Sequence, residues 1–324
     1  MGTVVLGTGS CLPKRILTNK ELETIVDTSA EWIKTRTGIE CRHIGGKGEQ
    51  TYQLSARAAE KALAAAGVAP EELGLIVLGT ISSHMLMPSS ACFVQKEIGA
   101  TNAFAFDLNA ACSGFLYGLD LADKYIRADH SMKILVIGAE TLSSRLNWQD
   151  RNTCILFGDG AGAAVFAHSD TERGVIGSNL LSDGSLWDLL YMHAPQSLNP
   201  DLLVAGNDGT HIHMEGREVF KYAVRAMEEA VRGLLQKQNI DIASIHFVIP
   251  HQANMRILTN LIERLDIPRS KVFINVAKYG NTSAASIPIA LDEANRSGLL
   301  AQGDTVLLCS FGGGFTWGAT LIKW

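Results

Sequence analysis

Excess basic charge, long apolar runs and ordered cysteine spacing are all missing from this chain. Its 28 Lys and Arg are outnumbered by 33 Asp and Glu, for a net charge of −5. That balance argues against general nucleic-acid binding, although it leaves room for local basic patches. No apolar run reaches the roughly 18 residues that span a bilayer, so no membrane insertion is expected. The six cysteines, at 11, 41, 92, 112, 154 and 309, show no C-x-x-C pair and no regular spacing. No signal peptide opens the sequence, and Met1-Gly2 misses the myristoylation pattern because position 6 is Leu. These features point to a reducing cytoplasm. No G-x-S-x-G elbow occurs, and Gly7-Thr8-Gly9 lacks the third Gly of a dinucleotide fingerprint. Charged residues are scarce too, at 19% against 47% hydrophobic. What is there, over 324 residues, is a soluble globular chain with an extensive core, large enough for one large or two medium domains.

Short β-branched runs alternate with longer helical patterns, which predicts an α/β fold with buried sheets. The expected strands are 3–7, 74–80, 103–108, 133–138, 154–157 with 162–167, 245–249, 272–276, 304–309 and 317–323. The expected helices are 51–66, 88–98, 113–128, 216–236, 252–265 and 283–297. Residues 183–213 read as an excursion or lid. Gly158-Asp159-Gly160-Ala161-Gly162 reads as a hairpin turn between two strands. Three strands recur at near-equal offsets: 75–79 resembles 245–249, 104–108 resembles 272–276, and 133–137 resembles 304–308, at 170, 168 and 171 residues. Such spacing suggests two similar halves packed together, with chance likeness among Val- and Ile-rich strands as the alternative.

Ligands of α/β sheets collect beyond the carboxyl ends of the strands. Cys112, His251, Asn281 and the loop Phe311-Gly312-Gly313-Gly314 all lie there, and two matched halves would bring them to one crevice. Cys112 follows a strand and precedes a helical pattern, a place where unpaired N–H groups and the helix dipole favour the reactive thiolate. His251 follows the strand 245–249 at the start of a helix, where the dipole disfavours imidazolium and a neutral ring can donate one hydrogen bond. Small residues after Asn281 allow close approach to a ligand. The glycine loop, with the Cys112 N–H, can form an oxyanion hole. Each group alone has an ordinary reading: a buried apolar Cys, a structural His, an Asn turn or helix cap, a flexible glycine turn. His211 and His213 have no evident third ligand nearby, so no metal is expected.

Taken in order, NAACSGF (109–115), PHQAN (250–254), YGNTSAAS (279–286) and FGGGFTWG (311–318) resemble the β-ketoacyl-acyl carrier protein synthase III family of thiolase-fold condensing enzymes. DTSAEWIKTRTGI (27–39), LFGDGAGA (156–163) and MEGREVFKYAV (214–224) extend the likeness over almost the whole chain. The resemblance implies two duplicated α/β halves in α-β-α-β-α layers, 1–170 carrying the nucleophilic Cys and 171–324 the His and Asn. It implies that Cys112 takes an acyl group from acyl-CoA, which is a substrate, so no cofactor is called for. Malonyl-acyl carrier protein would then lose carbon dioxide and its carbanion attack the acyl-enzyme. His251 and Asn281 would stabilise the enolate, and the N–H groups of Cys112 and Gly313 the oxyanion. Trp32 and Arg151 would sandwich the CoA adenine, with Arg36 and Thr37 near the nucleotide and Gly216, Phe220 and Asn254 along the pantetheine. Lys221 and Arg256 would receive the acidic carrier protein. Met87, where the family often has Phe, would close the primer pocket across a homodimer interface near 103–108. Met is the more pliable, so primers longer than acetyl are one reading and neutral packing variation the other.

Three other readings compete. A related thiolase-fold acyltransferase would pass the Cys-bound acyl group to oxygen or nitrogen without decarboxylation. A secondary-metabolite condensing enzyme is a close variant. A non-catalytic acyl-CoA or carrier-protein binding subunit would gain nothing from the thiol. Retention of both His251 and Asn281 favours decarboxylative condensation.

Overall fold

Strands rich in Val, Ile and Leu that are apolar on both faces must be covered on both faces, and that requirement organises the molecule. The computed structural model describes residues 2–324. Two mixed sheets form its frame. The first runs, in spatial order, Gly2–Cys11, Gly160–Ser169, Lys133–Glu140, Leu73–Gly79, Phe104–Leu108. The second runs Gly174–Ser182, Thr316–Lys323, Thr305–Gly312, Phe247–Pro250. Directions match strand for strand: the first two pairings in each sheet are antiparallel and the next is parallel. Where the first sheet ends in a parallel Phe104–Leu108, the second has a single parallel bridge from Val248 to Val272.

Alternation along the strands sends neighbouring side chains into different layers. Ile76 and Leu78 pack outward with Leu54, Ala58 and Leu63 of the helix Thr51–Ala66. Val77 points the other way, into a central layer holding Phe115 and Leu119 of the helix Gly114–Ala128 and Ile287 and Leu291 of the helix Ser286–Arg296. Val306 and Leu308 close that layer from the second sheet. Leu307 and Leu321 face Val231 and Leu234 of the helix Gly216–Gln238 and Leu261 of the helix Met255–Leu265. The result is the expected α-β-α-β-α stack. At about 1.5–3 kcal/mol for each such side chain buried, the three apolar layers supply the main favourable contribution to folding. No helix among the described residues is long and apolar enough to cross a membrane.

Three expectations need correction. Residues 151–154 form a short helix, capped by Asp150, whose carboxylate accepts from Asn152 N, so no strand spans 154–157. The segment 158–162 is no hairpin turn. Asp159 is buried and accepts from Gly45 N and from Ser143 N and Oγ, and Gly160 already begins the ten-residue strand. No strand forms at 272–276: Asn275 N is taken by Gln252 Oε1, and the chain turns into the short helix Val276–Tyr279. The strand Gly174–Ser182 and the two-stranded antiparallel sheet of Arg15–Thr18 with Cys41–Ile44 escaped the reading of the sequence.

Candidate active site

Beyond Leu108 the chain passes through one tight turn, Ala111–Ser113, before the helix Gly114–Ala128. Ala111 is held at φ 44°, a left-handed conformation that costs of order 1–3 kcal/mol for such a residue. The second sheet over-determines the turn: Ser310 Oγ donates to Cys112 O at 2.8 Å and Thr316 Oγ1 to Ala110 O at 2.8 Å. Gly312 lies against it so closely that a Cβ there would fall 2.6 Å from Cys112 N. Burial pushes the Cys112 thiol up to about 12, the neighbouring Ser283 side chain opposes the rise, and the nearby Glu140 adds to it. The expectation of a resting thiolate is therefore corrected. Burial is the largest influence on the group and favours the thiol.

His251 follows the strand Phe247–Pro250, and its N–H donates to Cys309 O at 2.8 Å. Its helix begins only at Met255, capped by Asn254, so the dipole is not what keeps the ring neutral. Burial does that, holding its pKa down to about 3. Nδ1 lies 2.6 Å from Ser286 Oγ, which also accepts from Gln252 N at 3.4 Å. A Ser286 hydroxyl that accepts there and donates to Nδ1 puts the ring proton on Nε2. Asn281 is fixed by backbone pairing with Leu156 and Gly158. Its Oδ1 accepts from Ser283 N at 2.8 Å, which leaves Nδ2 as the donor for a ligand.

Cys112, His251, Asn281 and Gly313 line one cavity of about 1130 Å³, which bears out the convergence expected of strand ends. Trp32, Arg36, Thr37, Gly216, Phe220 and Asn254 line it too, as do Lys221 and Arg256. Thr37 is buried and its hydroxyl is spent on Ile33 O and Ile39 N, so it shapes the wall without offering a polar group. Arg151 is not on the wall. Its guanidinium lies over the Trp32 ring at 4.8 Å, and Nη1 donates to Asp27 O at 3.0 Å. The two faces expected to clasp an adenine thus rest against one another. Arg256 stacks on Phe220 at 5.3 Å. Met87 lies outside this cavity, 84% exposed beside Leu86 at 87%.

The stretch 183–213 supplies a wall rather than a loose lid. Leu190–Met192 pairs with Ile212–Met214, and Tyr191, Met192, Ile212 and Met214 face the cavity. His211 and His213 do have a third group close in sequence: Asp208 lies 3.4 and 3.1 Å from their Nε2 atoms. Sequence reasoning also missed Glu140, fully buried at the end of Lys133–Glu140. A lone acid in an otherwise apolar strand was the available signal.

Family models match in two places. 3-Oxoacyl-[acyl-carrier-protein (ACP)] synthase III matches residues 106–184, and the corresponding C-terminal model matches 235–324. The β-ketoacyl-[acyl-carrier-protein] synthase III of Desulfotalea psychrophila is 59% identical over 324 residues, covering all of both chains. The crystal structure of the 3-oxoacyl-[acyl-carrier-protein] synthase III of Aquifex aeolicus superposes at a TM-score of 0.93, with 49% identity and full coverage of both chains. The priming β-ketosynthase of the R1128 polyketide pathway superposes at 0.91, with 35% identity over 99% of this chain and 96% of that one.

Proposed function

The chain belongs to the β-ketoacyl-[acyl-carrier-protein] synthase III family, and from that premise we propose how its residues divide the reaction. The enzyme is an acyltransferase that condenses acyl-CoA with malonyl-acyl carrier protein and so initiates fatty acid synthesis. The observation that carries the assignment is one cavity lined by a thiol, a neutral imidazole and a carboxamide.

Cys112 Sγ attacks the acyl-CoA thioester. The developing oxyanion sits on the N–H groups of Cys112 and Gly313, and CoA leaves. Malonyl-acyl carrier protein then enters and loses carbon dioxide. The enolate oxygen receives hydrogen bonds from His251 Nε2 and Asn281 Nδ2, and the enolate carbon attacks the acyl-Cys112 carbonyl, expelling the sulphur. A neutral His251 suits this role, because it donates without having to lose a proton at pH 7. Gly216, Phe220 and Asn254 flank the pantetheine arm, Arg36 lies at the nucleotide end, and Arg151 lifts from Trp32 to admit the adenine. Lys221 and Arg256 meet the carrier protein at the mouth, a local basic rim on a chain of net charge −5. The exposed Met87 reaches a partner's primer pocket in a homodimer. The open edge of Phe104–Leu108, with Phe104 48% exposed, is the natural joint.

The test separates the half-reactions. His251→Ala and Asn281→Ala should still form the acyl-Cys112 adduct, while decarboxylation of malonyl-acyl carrier protein drops about 100–1000-fold, as for a lost oxyanion donor. Unchanged decarboxylation in both variants would overturn the division.

A further inference from the structure

The roles above leave one proton without a destination. Cys112 rests as a thiol and must lose its proton on acylation. His251 is a poor acceptor, since burial disfavours its charged form and its Nδ1 is tied to Ser286. Glu140 is a buried ionisable group beside the nucleophile that the condensation has not used.

Glu140 is fully buried at the carboxyl end of the strand Lys133–Glu140, with no cation against it among the described residues. Its Oε2 accepts from Ser82 Oγ at 2.5 Å and Thr80 Oγ1 at 3.1 Å, and Ile81 N reaches both oxygens at 3.2 and 3.3 Å. Its Oε1 accepts from Ser283 Oγ at 3.2 Å. That same Ser283 borders the cavity beside Cys112, close enough to hold the thiol down against burial. Ser283 is fixed at φ 49° with its N–H on Asn281 Oδ1, a strained backbone of the kind that clusters at functional sites. Ser283 therefore stands between the thiol and a buried carboxylate that its hydroxyl already touches. Burial lifts the Glu140 carboxyl to about 7, against the hydrogen bonds of Ser82, Ile81, Thr80 and Ser283. No charged side chain enters that balance, and Cys112 is its titratable neighbour.

We propose that Glu140, acting through Ser283, receives the Cys112 proton during acylation and stores it until condensation returns it. As the Sγ–C bond forms, the Sγ–H bond breaks. Ser283 Oγ takes that proton and passes its own to Glu140 Oε1. CoA departs as a thiolate with the electron pair of its C–S bond and takes a proton from water. In the second half, the enolate carbon bonds to the acyl carbon and the C–S pair returns to Cys112. Glu140 then reprotonates the sulphur through Ser283. Glu140 never touches substrate; it acts by positioning a proton. This inference rests on Cys112 being the acyl carrier.

Single-turnover acylation of the full-length protein by acetyl-CoA, followed by mass across pH 5–9, tests it. The wild-type rate should rise with pH through about 7. Glu140→Gln and Ser283→Ala should acylate about 100-fold more slowly, the lower range for a lost proton acceptor, and lose that inflection. KM for acetyl-CoA should stay within about twofold, and Glu140→Asp should recover part of the rate and the inflection. An unchanged rate, or a slowed rate with the inflection intact, would overturn the relay. If Glu140→Gln fails to fold, Ser283→Ala alone decides by the same criteria. A wild-type protein that forms no Cys112 adduct would instead sink the underlying assignment.

Discussion

Two buried ionisable residues, His251 and Glu140, make the stability of this protein depend on pH in opposite senses. The folded state keeps His251 neutral down to about 3, against an ordinary 6.5. Between those values the unfolded chain binds the extra proton, so stability falls as pH falls from 6.5 to 3. Glu140 is raised to about 7 from an ordinary 4.5. Between those values the folded chain holds the extra proton, so stability falls as pH rises from 4.5 to 7. Each slope is about 1.4 kcal/mol per pH unit, and they nearly cancel from 4.5 to 6.5. Glu140→Gln should therefore gain stability relative to wild type as pH rises from 5 to 7, and equilibrium denaturation at both pH values checks this. A constant difference would contradict it. Gly312 permits a sharper structural test. Gly312→Ala places a Cβ 2.6 Å from Cys112 N, and such overpacking should cost about 1–3 kcal/mol. It should also abolish acylation, because it displaces the nucleophile; intact acylation would show that the turn has slack.

The elements most legible in sequence were those with a strong period and clear punctuation. The helix Thr51–Ala66 appears with the bounds that its Ala-rich pattern and Gly67 predict. Segments governed by side chain-to-backbone contacts were not legible. Asp150 turned 151–154 helical, Asp159 pinned the chain before Gly160, and Gln252 drew Asn275 out of pairing. Such partners lie far apart in sequence and leave no local pattern. The site divides likewise. Cys112, His251 and Asn281 were marked by strand ends and small-residue turns. Glu140 and Ser283 were not, because Thr80, Ser82, Glu140 and Ser283 meet through contacts between residues far apart in sequence. At the cavity mouth, Arg217, Lys221 and the Arg225 that lies beside it recur four residues apart, all exposed, on Gly216–Gln238, with Arg256 on the facing helix. Charge reversal at Arg256 should weaken use of malonyl-acyl carrier protein at least tenfold and spare acylation by acetyl-CoA. Equal losses in both would point to a damaged fold, since Arg256 also packs on Phe220.

The whole molecule repeats one design, a sheet of shared strand order used twice. That repetition supports reading the chain as two halves, 1–170 and 171–324. The first contributes Cys112 and Glu140, and the second His251, Asn281, Ser283 and the glycine loop. On the proposed roles, the chemistry takes place where the halves meet. The unpaired edge of Phe104–Leu108 and the exposed Leu86 and Met87 extend this logic to a second copy. For the proposed homodimer, Phe104→Glu with Leu86→Glu should shift the sedimenting species from dimer to monomer; an unaltered dimer would place the interface elsewhere, and a monomeric wild type would refute the dimer. The central claim concerns one sulphur atom. Incubation of the intact protein with acetyl-CoA and longer acyl-CoAs, followed by peptide mass mapping, tests it most directly. The account predicts one acyl group per chain, on Cys112 and absent in Cys112→Ala. No adduct with any primer, or an adduct on another of the six cysteines, would contradict it.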